Sequence, residues 1–136
     1  MIFKNYEKVY FADTDAYGVV WHGTYLRWLE QGRTLFCDSI GCPLDVMANE
    51  HDIHFPVVNI NIHYRASAKL YDEIVVETRI AELTKLYVVF EQKVKDKETG
   101  KLFVEATVKA VAVHKTGELY RRFPDIVYNI FNNLDL

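Results

Sequence analysis

No stretch of the 136-residue sequence approaches the ~20 consecutive apolar residues of a membrane span, so none is expected. A basic stripe is missing too. Sixteen Lys and Arg stand against nineteen Asp and Glu, mixed along the chain, for a formal net charge of −3. Phosphate backbones are gripped by clustered positive charge, so no nucleic-acid partner is expected. Glycine (6) and proline (3) are sparse, and no repeat or low-complexity run is present, which argues against fibrous, linker-like and solenoid chains. There are only two cysteines, Cys37 and Cys42, and they form neither a disulfide framework nor a Cys-x-x-Cys pair. Met1–Asn5 opens no leader-like apolar segment. Together these favour a cytoplasmic, reducing location. A Gly-rich phosphate loop and a Gly-x-Ser-x-Gly elbow are also missing, so two common hydrolytic sites are not expected.

Apolar residues are plentiful. Half the chain is hydrophobic and 14% is aromatic, enough for a sizeable core in one domain over residues 1–136. Alternation from Tyr6 to Phe11 predicts a strand. From His22 the period changes. Tyr25, Leu29, Gly32, Phe36 and Ile40 recur at helical spacing, and Gly41 then Pro43 end the helix. Gly32 on the apolar face implies close approach to a sheet. One turn of helix is expected over Asp45–Asn49. Strands follow at Val58–Tyr64, Glu73–Ala81, Leu86–Lys95 and Leu102–His114, with a short piece at Leu119–Tyr120. In the first of these, Val58, Ile60, Ile62 and Tyr64 share one face. Asp96–Gly100 and Lys115–Gly117 are too short for crossovers, so the later strands run antiparallel. A closing helix is expected from Pro124, as its first residue, to Leu134. The class is α+β: an antiparallel sheet with one long helix. Apolar residues on both strand faces (Tyr87, Val89, Val111, Val113) point to an oligomer.

The informative segment is Tyr10-Phe11-Ala12-Asp13-Thr14-Asp15-Ala16-Tyr17-Gly18-Val19-Val20-Trp21-His22-Gly23-Thr24-Tyr25-Leu26. Two carboxylates lie two residues apart in a loop, and a His opens the long helix. The first N–H groups of a helix have no internal partner and suit negative charge, a developing oxyanion included. A carboxylate, an imidazole and free amides could thus converge for attack on an activated carbonyl. Paired carboxylates before a helix are also common as caps and solvated turns, so spacing alone leaves both readings open.

Asp13, Thr14, Asp15, Gly18, Val19, Val20, His22 and Tyr25 resemble the signature of the 4-hydroxybenzoyl-CoA thioesterase family, in the branch associated with the Tol-Pal gene cluster. The resemblance implies the hotdog fold, an antiparallel sheet wrapped around one long central helix. It implies acyl-CoA hydrolysis, with Asp15 as nucleophile or general base. It makes Asp13 structural and lets Gly18 shape the tight path into the helix. It puts an oxyanion site at the amides of His22 and Gly23, with the His22 side chain orienting the acyl group or Asp15. Tyr25 sits on the apolar face, for packing or at the edge of the acyl site. It also implies a homo-oligomer, a dimer of dimers, whose active site lies at the dimer interface and is completed by strand residues around Val58 and Asn59. Tyr17 and Trp21 depart from the branch pattern. Both are bulky and near the expected acyl site, so they bear on chain-length preference. Arg65 and Lys85 are candidates for the nucleotide phosphates, each weighed against a plain solvated cation.

No metal or other cofactor is expected. His51, His54 and His63 lack ligand spacing and fit surface or core roles better. Glu30 and Arg33 suit a surface pair on the helix. Hotdog dehydratases carry an acidic residue there, so Glu30 is the residue for that weaker reading. The same fold could also hydrolyse acyl carrier protein thioesters, or bind acyl-CoA without catalysis.

Overall fold

A computed structural model of the chain describes residues 1–134. Its order is β1 (Phe3–Lys8), a 3-10 turn (Phe11–Asp13), α1 (His22–Ser39), α2 (Leu44–His51), β2 (Val57–Tyr64), β3 (Glu73–Leu83), β4 (Val88–Asp96), β5 (Leu102–Ala110) and α3 (Asp125–Asn132). The five strands form one antiparallel sheet in the order β1-β3-β4-β5-β2. The 18-residue α1 lies across its inner face. This is the expected α+β hotdog arrangement.

Gly32 explains how close α1 comes. A Cβ there would sit 2.9 Å from Val76 Cγ1 and 3.1 Å from both Gln92 Nε2 and Thr78 Oγ1. Only glycine lets the helix rest on those side chains. Gln92 is fully buried and fully engaged. Its Nε2 donates to the Leu29 carbonyl (2.8 Å) and to Thr78 Oγ1 (2.9 Å), and its Oε1 accepts from Arg33 Nη1 (2.9 Å). Arg33 therefore turns inward to Gln92; no ion pair with Glu30 forms among the described residues. This polar belt separates two apolar clusters. Val20, Tyr25, Trp28 and Leu29 pack near the start of α1; Phe36, Cys37, Phe90 and Phe131 pack near its end.

Several boundaries differ from the sequence reading. β1 begins and ends three residues earlier than expected, because Val9 leaves the β1–β3 ladder: its N–H goes to the Asp72 carbonyl (2.9 Å) and its carbonyl to the Tyr71 N–H (3.0 Å). α2 runs two turns, stopped by Asp52 in the left-handed region (φ 54°). Pro124 precedes α3 as its N-cap and is not its first residue. β5 ends at Ala110, beyond which Val113 only bridges His54 and Leu119. β2 carries a bulge between Val57 and Asn59, so Val58 drops out of the register with β5. β2 is also an edge strand, and Val57, Val58, Ile60 and Tyr64 are all exposed on it.

Candidate active site

The loop before α1 is built around Asp13, which is 6% exposed. Its Oδ2 accepts from the Tyr10 N–H (2.9 Å) and its Oδ1 from Arg27 Nη2 (2.6 Å). Its carbonyl accepts from the Trp21 N–H (2.9 Å) and the Thr24 hydroxyl (3.1 Å). One residue thus ties the strand exit to the first turns of α1. Asp13 is the structural carboxylate. Arg27 is the partner that sequence reasoning missed; the only signal was a cation early in the helix that follows.

Asp15 has a different environment. Thr14 bridges Val20, the Asp15 N–H donates to the Val19 carbonyl (2.9 Å), and the Gly18 N–H donates to the Asp15 carbonyl (3.0 Å). This is a tight hairpin closed by Gly18 at φ +78°, where a Cβ would strain the backbone. Asp15 Oδ1 accepts from the Tyr17 N–H (2.8 Å), and Oδ2 has no hydrogen-bond donor among the described residues. The carboxylate is therefore oriented by its own loop with one oxygen left over. It is partly buried, and Tyr17 beside it is exposed.

At the start of α1 the N–H groups of His22 and Gly23 have no acceptor among the described residues. The Trp21 indole lies over Gly23, so close that a Cβ there would fall 2.3 Å from the ring. The His22 ring sits 5.1 Å from the Trp21 ring and 6.5 Å, edge to face, from Tyr64. The Tyr64 hydroxyl donates to the His22 carbonyl (3.2 Å), which brings the end of β2 against the helix start. The His22 imidazole makes no hydrogen bond to Asp15. Its side chain packs among rings.

Other expected site residues scatter. Tyr25 is 2% exposed, its ring edge-on to Trp28 and Tyr64 and its oxygen accepting from the Ala68 N–H (2.9 Å). Burial pushes its phenol above the usual range, so it stays protonated. Tyr25 belongs to the core. Arg65 is paired to Glu105 at 2.5 Å, and that contact lowers the Glu105 carboxyl. Lys85 is exposed, with no ion pair among the described residues, and its carbonyl accepts the Phe123 N–H (2.7 Å), beside exposed Arg121 and Arg122. Because of the bulge it is Val57, not Val58, that lines a pocket against α1. Asn59 shares its face with Asn61 and His63, which border a groove on the outer side of the sheet. His54 and His114 lie against Asp52, at 3.6 and 3.0 Å. Cys37 and Cys42 are free and buried, and burial raises their thiols to about 12 and about 11. They are protonated at neutral pH and make no nucleophile.

Comparison with known proteins agrees with this geometry. Residues 17–103 match the family model described as the thioesterase superfamily. An acyl-CoA thioesterase, YbgC, of Haemophilus influenzae is 32% identical over 93% of this chain and 92% of its own. The crystal structure of a hypothetical protein from Thermus thermophilus superposes with a TM-score of 0.90 at 29% identity, covering 100% of this chain and 99% of that one. A 1,4-dihydroxy-2-naphthoyl-CoA thioesterase from Synechocystis, 21% identical, shares the fold with a TM-score of 0.88 over 100% of this chain and 99% of its own. The hotdog sheet, the loop before α1 and these matches agree: the chain belongs to the thioesterase superfamily.

Proposed function

We propose that this protein is an acyl-CoA thioesterase, with residues 1–136 acting as one hotdog domain and Asp15 as the catalytic carboxylate. The observation that carries the reading is the free Oδ2 of Asp15, in the same short segment as the two unpaired amides that open α1. The thioester oxygen binds the N–H groups of His22 and Gly23. In one route an Asp15 oxygen attacks the carbonyl carbon, the C–S bond breaks, and the CoA thiolate leaves and is protonated. Water then cleaves the mixed anhydride and restores Asp15. In the other, Asp15 takes a proton from a water as that water attacks, and the proton passes to the departing sulfur. Either route needs the same side chain and the same oxyanion donors, each donor contributing about 3 kcal/mol to the transition state.

Gly18 holds the hairpin, and Trp21 with Tyr17 flanks the entrance. Lys85 is the favoured contact for the nucleotide phosphates; Arg65 would first have to leave Glu105. The unpaired apolar edge of β2 supports a homo-oligomer, a dimer of dimers with the site at the β2 contact. Free buried thiols, and no helix among the described residues long and apolar enough to cross a membrane, support a cytoplasmic setting.

The test is a thiol-release assay over a panel of acyl-CoAs. Asp15→Asn should lower kcat at least about 10³-fold with an unchanged melting temperature. A folded Asp15→Asn variant that keeps most of its turnover would remove Asp15 from the mechanism.

A further inference from the structure

The two amides that open α1 each share a peptide group with the carbonyl before them. A peptide group is planar and conjugated, and in the trans form its N–H and C=O point opposite ways. No cis peptide bond occurs among the described residues. A hydrogen bond accepted at the oxygen draws electron density from the nitrogen and makes the N–H a stronger donor. What the carbonyls of Trp21 and His22 accept therefore bears on the amides of His22 and Gly23.

The Trp21 carbonyl accepts from the Thr24 N–H (2.9 Å), an ordinary bond at a helix start. The His22 carbonyl accepts from the Tyr64 hydroxyl (3.2 Å), a donor 42 positions along the chain. A carbonyl has two lone pairs, so this bond adds to the one that the helix supplies. Tyr64 is held for the contact. Its backbone pairs with Val104 at the end of β2. Its ring meets the rings of His22 (6.5 Å, 86°) and Tyr25 (5.8 Å, 65°), both edge to face. Tyr25 is itself fixed, with its oxygen bonded to the Ala68 N–H (2.9 Å). The Tyr64 side chain is exposed and could turn its hydroxyl to water; it gives it to one backbone carbonyl instead. Partial burial pushes its phenol above the usual range, so it remains a donor at neutral pH.

We propose that Tyr64 is a positioning residue for thioester hydrolysis: its hydroxyl polarises the His22–Gly23 peptide and so strengthens the Gly23 N–H as an oxyanion donor. The proposal rests on the thioesterase reading above and adds a residue that acts on the reaction from the sheet. Tyr64 touches no reacting atom; it works through the peptide it holds. The thioester oxygen gains negative charge in the transition state, so a stronger donor favours that state over the bound substrate. The benefit falls on kcat and leaves KM almost unchanged. Cooperative strengthening by about 10–30% of one donor's share corresponds to about two- to fivefold in kcat.

The experiment replaces Tyr64 in the full-length protein with Phe and, by site-specific incorporation, with 3-fluorotyrosine, whose more acidic phenol is a stronger donor. Thiol release from a panel of acyl-CoAs is measured at about pH 7, where the phenol stays protonated. Tyr64→Phe should lower kcat about two- to fivefold, and 3-fluorotyrosine should raise it above wild type, with KM and melting temperature nearly unchanged. A merely structural tyrosine would not give that ranking, because fluorine changes the donor and barely the shape. A second readout is the carbonyl stretch of a carbon-13-labelled acyl-CoA bound to Asp15→Asn, followed by isotope-edited infrared spectroscopy. Adding Tyr64→Phe should move that band to higher frequency, as a weaker donor on the thioester oxygen requires. If Tyr64→Phe fails to fold, the 3-fluorotyrosine protein carries the test, its band moving to lower frequency. Equal kcat in all the proteins, an effect on KM alone, an unmoved band, or a loss of kcat that tracks a lower melting temperature and ignores fluorination would each overturn the role of Tyr64 but leave a hydrolase that depends on Asp15. No release of thiol from any acyl-CoA would overturn both.

Discussion

Asp13 and Asp15 are the same residue type two positions apart, and the fold treats them in opposite ways. Asp13 spends both carboxylate oxygens and its carbonyl on Tyr10, Arg27, Trp21 and Thr24, whereas Asp15 keeps an oxygen free. Asp13→Ala would leave the Tyr10 N–H and the Arg27 guanidinium without their partner beside a largely apolar cluster. It should lower stability by about 2–3 kcal/mol and reduce turnover through the displaced loop. Urea unfolding alongside the thiol-release assay checks this; an unchanged midpoint would mean that the loop is held by other contacts. This difference in environment was not legible in residue type and spacing, and the roles proposed for the two carboxylates come from the family resemblance. Residue type and spacing could not say which carboxylate meets Arg27, because that contact spans 14 positions and depends on the helix direction. The same limit applies to Arg33 and Arg65. Each looked like a free or locally paired cation, and each is engaged by a residue from a distant strand, Gln92 or Glu105.

At the scale of elements, periodicity was a good guide where one face is buried and a poor one where neither is. The 3.6-residue pattern gave α1 its start, its end and its apolar face, Gly32 included. Gly32→Val would push a branched side chain into Val76, Thr78 and Gln92. It should cost about 1–3 kcal/mol, seen as a lower melting temperature, with the polar belt disturbed before either apolar cluster. A melting temperature equal to wild type would show that the sheet can yield there. β2 is the opposite case. Its alternation placed Val58 on the apolar face, but strand exposure carries no burial signal, and a one-residue bulge shifts that place to Val57. The early end of β1 has a similar origin, since Val9 is buried but bonded outside the ladder.

For the whole molecule, the outer face of the sheet and the β2 edge differ in kind. The outer face is crossed by ion pairs such as Glu77–Lys95 (2.9 Å) and Arg79–Glu91 (2.8 Å), and Lys109 covers the Tyr87 ring at 4.0 Å. Such a face is content in water. The β2 edge combines an unpaired ladder with exposed Val57, Val58, Ile60 and Tyr64. Ile60→Lys should therefore weaken self-association at least about tenfold, read as a lower mass by light scattering during gel filtration, with activity falling in parallel. Full activity in a monomeric Ile60→Lys protein would separate the site from the β2 contact. How the strands are ordered was beyond reach of the sequence, because pairing between β2 and β5 joins segments some forty residues apart. An exposed edge beside the proposed reacting loop also changes what a rate measurement means. If the proposed assembly through β2 forms, then once the chains are diluted below its dissociation constant each loses the surface that completes its neighbour. The turnover of a sample then falls faster than its protein content, and mass action becomes part of the enzyme's kinetics.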